Sequence, residues 1–130
     1  MQKVIRIETR AHDDWQDVTA HVQACVTESA LTDGVAAVFV PHTTAGVTIQ
    51  ENADPPLKLD ITAAFARLFP WQGDYRHGED NAAAHMKAML VGPSVQVPFA
   101  KAQLQLGTWQ AIYLCEFDGP RQRRIVIHVS

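Results

Sequence analysis

The stretch from Trp109 to Phe117 constrains this chain more than any other, because it reads as a strand that is apolar on both faces. Trp109, Ala111, Tyr113, Cys115 and Phe117 share one phase of a two-residue alternation, and Ile112 and Leu114 share the other. A strand of that kind must be covered on both sides. Asp118-Gly119-Pro120 then turns the chain, and Ile125, Ile127 and Val129 bring it back. Short turns between alternating strands favour antiparallel pairing. With few helices to cover a second apolar face, the pattern also points to self-association through sheet faces, although helices alone would suffice.

The rest of the chain fits the same architecture. Gln2 to Thr9 alternates, with Ile5, Ile7 and Thr9 on one face, and Val35 to Val40 is a short buried strand that Val47 to Gln50 continues or pairs with. Val18, Val22, Cys25, Val26 and Ala30 recur at helical spacing, with Asp17 or Thr19 as N-cap and Gly34 in the turn that follows. Asp54-Pro55-Pro56 opens a helix with an apolar stripe of Ile61, Ala64, Phe65, Leu68 and Phe69, stopped by Pro70. Trp71 to Asp80 is a loop, Asn81 caps a helix to Leu90, and Gly92 lies just past its end. Val95, Val97 and Phe99 alternate once more, as do Leu104 and Leu106. No linker or repeat divides the 130 residues. The expected fold is a single α+β domain, a largely antiparallel β-sandwich with two or three helices.

Charge excludes some functions. The net charge of −3 provides no basic excess for nucleic acid, and Arg121, Arg123 and Arg124 read as a solvated edge. No apolar run approaches the roughly 20 residues that span a bilayer, so neither membrane nor nucleic acid is an expected partner and the expected location is cytoplasmic. Cys25 and Cys115 are 90 residues apart in apolar stretches and read as small hydrophobes.

The chemistry concentrates between Pro41 and Lys87. His42, Thr43 and Thr44 follow a buried strand directly, which sets donors and acceptors at the rim of the core. Glu51, Asn52 and Asp54 precede the double proline; capping explains Asp54, while Glu51 and Asn52 suit a metal's outer shell or a substrate's hydroxyls. His77 and His85 flank a helix start, where a bend lets a loop histidine and a helix histidine converge. With His42 they make a candidate three-imidazole site for a divalent metal such as zinc, with an open fourth position. Without metal, His85 is suited to general acid–base work at neutral pH, while Arg76, Lys87 and the helix start at Asn81 attract an anion such as phosphate. The bland alternative is a core His85 hydrogen-bonded to Asn81 one turn earlier. Trp109 reads as core, Gln110 and Glu116 fall on the opposite strand phase, and a buried Glu116 needs a partner such as Arg121, which also suits a substrate anion.

Taken together, Val40-Pro41-His42-Thr43-Thr44-Ala45-Gly46, Gln50-Glu51-Asn52-Ala53-Asp54-Pro55, the stretch His77 to Lys87, Leu106-Gly107-Thr108-Trp109-Gln110 and Cys115 to Arg121 resemble the YjbQ family, often labelled secondary thiamine-phosphate synthase. The blocks run in order through essentially the whole chain. The resemblance implies an α+β sandwich, a homotrimer, and a pocket using His42, His77 and His85 with a metal or anion bound between subunits. It also implies condensation of a hydroxymethylpyrimidine diphosphate with a thiazole phosphate, releasing pyrophosphate, as a possible side activity. Where the family commonly has an acid two residues before the last histidine, this chain has Ala83, while His77, Asn81 and His85 remain. The site expected from all this has His85, Asn81 and Glu51 in catalysis and His42, His77 and His85 on a metal. Thr43, Thr44, Asn52, Asp54, Arg76, Lys87, Gln110 and Arg121 would contact a small anionic or phosphorylated metabolite. The alternative is a trimeric module that binds metal or metabolite without turnover.

Overall fold

The computed structural model describes residues 1–130 as two antiparallel sheets with three helices. The strands are β1 (Gln2–Glu8), β2 (Asp14–Asp17), β3 (Gly34–Phe39), β4 (Ala45–Glu51), β5 (Ser94–Ala100), β6 (Gln103–Leu104), β7 (Gln110–Glu116) and β8 (Gln122–Val129). The helices are α1 (Thr19–Ser29), α2 (Pro55–Leu68) and α3 (Ala82–Val91). One sheet has the order β1-β8-β3-β5-β6 and the other β2-β7-β4. The α+β sandwich read from the alternation is what the chain adopts.

The doubly apolar strand organises both cores. Ile112 and Leu114 of β7 face the larger sheet and pack with Val18, Val22 and Val26 around α1 and with Ile125 and Ile127 of β8. Ala111, Tyr113, Cys115 and Phe117 form the second cluster with Ala84 and Ala88 of α3, flanked by Phe65 and Trp71. Small side chains at Ala82 to Ala84, all buried, let α3 lie close to the sheet. Helices therefore cover the second face within one chain. Trp109 departs from the alternation: it precedes β7 and is 63% exposed, because β7 begins only at Gln110.

Several local expectations are corrected. β4 pairs with β7 and never with β3, since the chain crosses from one sheet to the other at Val40 to Thr44. Val18 occupies the N-cap of α1, while Asp17 accepts the Thr19 N–H at 2.9 Å and the Thr19 hydroxyl accepts the Ile112 N–H at 2.9 Å. The turn after α1 uses Ala30 at φ 62°, and Gly34 instead starts β3, where a Cβ would meet the Ser130 carbonyl oxygen at 2.2 Å. The strand β2 was not anticipated, for Asp14-Trp15-Gln16-Asp17 shows no apolar alternation and owes its form to pairing with β7.

The stripe predicted on α2 is only partly covered. No residue of α2 is fully buried, and Leu59 and Leu68 stand in solvent. Phe69, Met86, Met89 and Leu90 line an apolar groove of about 410 Å³ beside it. On the outer face of the larger sheet Val4, Val126 and Phe39 form one cross-strand row, with Val4 and Phe39 exposed. No helix is long and apolar enough to cross a membrane.

Candidate functional site

Glu116 ends β7 on its inward face, completely buried. A carboxylate removed from water needs a cation and several donors to remain charged. Arg123 supplies its Nε at 2.8 Å and its Nη2, the Thr9 hydroxyl donates at 2.7 Å, and the backbone N–H groups of Phe117 and Asp118 donate at 3.1 and 3.0 Å. The partner is thus Arg123 and not Arg121. Arg123 shares the inward phase of β8 with Ile125, Ile127 and Val129, a signal present in the sequence, so it is no part of a solvated arginine edge. Its Nη2 also reaches the Thr44 hydroxyl at 2.7 Å, and Thr9 Oγ1 accepts the Arg121 N–H at 2.8 Å. One buried ion pair thereby ties the end of β1, the β3–β4 connection and the β7–β8 turn together.

Those segments wall a polar cleft of about 370 Å³. Pro41, His42, Thr43 and Thr44 form one side; Glu79, Asn81 and His85 come from the loop and first turn of α3; Asp118, Arg121 and Arg123 close it from the β7–β8 turn. Asp118 orients two neighbours through one oxygen, accepting from Asn81 Nδ2 at 2.9 Å and from Arg121 Nη2 at 3.1 Å. Two buried polar atoms of these residues have no partner, Asn81 Oδ1 and His85 Nε2. They do not bond to each other, so His85 is not the satisfied core histidine of the bland reading. Asn81 stands at the N-cap as expected, but its side chain reaches Asp118 and leaves the helix N–H groups alone.

The histidines meet only in part. His77 and His85 stack edge to face with centroids 4.9 Å apart, and His77 Nε2 is 3.9 Å from Glu79 Oε2. His42 and His85 line the same cleft. His42 Nε2, however, accepts the Arg124 N–H at 3.0 Å, which places the ring proton on Nδ1. Burial, then the charges of Arg123 and Arg124, hold the His42 pKa below the usual histidine value, so it is neutral at neutral pH. No group of three or more His, Cys, Asp or Glu side chains gathers as metal donors. A three-ligand zinc site does not fit the residues of one chain.

Of the other expected site residues, Thr43, Thr44 and Arg121 lie in the cleft. Glu51 and Gln110 pair at the far end of β4 and β7, about 20 Å along the strand from Ala45 at 3.3–3.4 Å per residue. Asn52 donates its N–H to Trp109 there, Asp54 makes no side-chain cap, and Gln110 Oε1 accepts the Gly107 N–H at 2.8 Å. Arg76 is in solvent, paired with Asp74 at 3.0 Å. Lys87 is buried on another face of α3, 3.2 Å from Asp13. Residues two apart on a helix diverge by about 200°, so His85 and Lys87 cannot serve one site. Asp118, Glu79 and Arg123 join the cleft outside the expected set; Arg123 carried the inward phase of β8 as a signal, and Glu79 and Asp118 fall within the blocks of the family resemblance.

The UPF0047 protein YjbQ-like family model matches residues 3–130. The chain is similar to UPF0047 protein YugU of Bacillus subtilis, 48% identical over 128 residues, 98% of this chain and 97% of that one. UPF0047 protein MJ1081 of Methanocaldococcus jannaschii is 41% identical over 124 residues, covering 95% of this chain and 90% of its own. A solved conserved protein of the yjbq/upf0047 family from Clostridium acetobutylicum superposes with a TM-score of 0.97 at 46% identity, over 98% of this chain and 99% of that one. A YbjQ-like protein of unknown function from Sulfolobus solfataricus gives 0.95 at 30% identity, over 99% and 95%.

Proposed function

The chain belongs to the UPF0047, YjbQ-like family, and on that premise we propose that it is a cytoplasmic small-molecule enzyme whose cleft takes a small anionic or phosphorylated metabolite. The observation that supports this reading is the two orphaned atoms Asn81 Oδ1 and His85 Nε2, on residues that line a cleft in which Pro41 is the one nonpolar residue. Each unsatisfied buried polar atom costs about 1–3 kcal/mol, a cost that a ligand's donors would remove. In this proposal Asn81 Oδ1 accepts from a ligand N–H or O–H, and His85 Nε2 takes or returns a proton at the reacting atom. Asp118 acts indirectly, holding Asn81 and Arg121 in place.

Metabolites are to be tried by calorimetric titration and by phosphate or pyrophosphate release, starting with the hydroxymethylpyrimidine diphosphate and thiazole phosphate pair. That condensation calls for several free cations beside the reacting groups, where the cleft's own Arg123 and Arg121 are already engaged by Glu116 and Asp118, so it suits a side activity. His85→Ala is expected to abolish turnover while the chain stays folded, because Nε2 loses no protein hydrogen bond and only the edge contact with His77 goes. Unchanged turnover in that variant would refute the proposal.

Two features favour the second reading, a metal- or metabolite-binding module without turnover: no Ser or Cys nucleophile lines the cleft, and one chain does not complete a metal site. A homotrimer belongs to both readings, supported by the exposed Met89, Leu90 and Phe39. A divalent metal such as zinc would then be held by His77 and His85 with further donors from a neighbouring subunit. Light scattering and metal analysis of untagged protein test both points; a monomer that retains no zinc would remove them.

A further inference from the structure

We infer that the cleft continues past His42 into a second subsite, formed by Arg6 and Arg124, that binds the phosphate group of the ligand. The inference rests on the ligand-binding reading above and adds where the anion sits. Arg6 and Arg124 are direct cross-strand partners in the β1–β8 ladder, so both side chains leave the same face of the sheet. Like charges directly opposite one another destabilise a strand pair. Neither guanidinium takes part in any ion pair of the chain. Glu8, the nearest acid along that face of β1, stands opposite Gln122 and pairs with neither.

Arg6 and Arg124 share a hollow of about 190 Å³ with His42, Gln122 and Arg123, and no hydrophobic residue lines it. His42 and Arg123 also line the main cleft, so the two spaces share those residues as a common wall. The arginines differ in what remains free. Arg123 is committed to Glu116 and Arg121 to Asp118, whereas Arg6 and Arg124 offer two unpaired forks on adjacent strands. Paired guanidinium groups in that arrangement suit a doubly charged oxyanion, which each can engage in bidentate fashion. The neutral His42 stands between the anion and the part of the ligand that reaches Asn81 and His85.

The test is a calorimetric titration of the full chain with inorganic phosphate. Arg6→Gln with Arg124→Gln is expected to weaken phosphate binding by about tenfold or more, since two charge-assisted contacts are lost, while Arg76→Gln, in solvent and outside both spaces, leaves it little changed. Both substituted side chains are exposed, and each single variant, removing one like charge from the face, serves if the double variant fails to fold. Phosphate affinity insensitive to the double substitution overturns the inference. Affinity lost in Arg121→Gln instead overturns it while leaving the proposed function standing, and no phosphate binding by the unmodified chain sinks both. Loss of oligomer in place of phosphate affinity assigns the pair to a neighbouring subunit's carboxylate, and the inference falls.

Discussion

Glu116→Gln is the most searching perturbation of this fold. The substitution keeps volume and shape, so it isolates charge and hydrogen bonding. Both carboxylate oxygens are fully used: Oε1 faces Thr9 Oγ1 and Arg123 Nε, and Oε2 faces Arg123 Nη2 and the N–H groups of Phe117 and Asp118. An amide replaces one of these acceptors with a donor: one contact becomes donor against donor when the nitrogen takes the Oε1 place, since the Thr9 hydroxyl can turn to accept, and three do when it takes the Oε2 place. It also leaves the Arg123 cation buried with no counter-charge. Breaking one side of a buried pair costs about 3–5 kcal/mol. With an unfolding entropy of roughly 2.1 cal/mol/K per residue over 130 residues, that corresponds to a fall in melting temperature of about 11–18 °C. Urea unfolding and scanning calorimetry measure it. The reasoning also requires that adding Arg123→Met restore part of the loss, because the stranded cation is then gone. A loss below about 1 kcal/mol, the size of an ordinary neutral hydrogen bond, or a double variant no more stable than the single one, would refute the account.

Acidification should also expose the state of His42. Its folded pKa lies below the ordinary 6.5, so between those two values the unfolded chain binds more protons than the folded one. The stabilising contribution is present above pH 6.5 and is lost as pH falls towards the folded pKa. The urea midpoint is therefore expected to drop on acidification by more in the unmodified chain than in His42→Gln; equal drops would contradict the assignment. Burial pushes the Cys115 thiol up to about 12 and raises Cys25 as well, which disfavours the reactive thiolate on both residues. Thiol reagents should label them only on unfolding, and fast labelling of folded protein would count against the two buried clusters that enclose them.

Periodicity made much of this architecture legible in advance. Alternation is a local property, and in β7 and β8 it separates residues into two cores without reference to any distant contact: Ile112 and Leu114 enter one, Tyr113 and Cys115 the other. The same alternation already carried Arg123 inward, although its neighbours Arg121 and Arg124 made it look like part of an exposed basic edge. Asp14 to Asp17 had no such pattern and became a strand only because β7 offered unpaired backbone groups.

The site was less accessible, for a related reason. The motif-rich blocks Thr43-Thr44 and Glu51-Asn52 are close in sequence, but a strand lies between them and an extended strand separates its ends as widely as backbone can. His85 and Lys87, closer still, diverge because a helix turns about 100° per residue. Conversely, Thr9, Thr44, Glu116 and Arg123 meet although more than 100 residues separate Thr9 from Glu116. The amino-acid order by itself determined the strand phases, the two-sided burial of β7 and the family, since each depends on nearest neighbours or on ordered blocks. Which polar groups converge, and which cations are left without partners, was decided only by sheet pairing and by the buried Glu116–Arg123 contact, because desolvation acts on groups that are close in space.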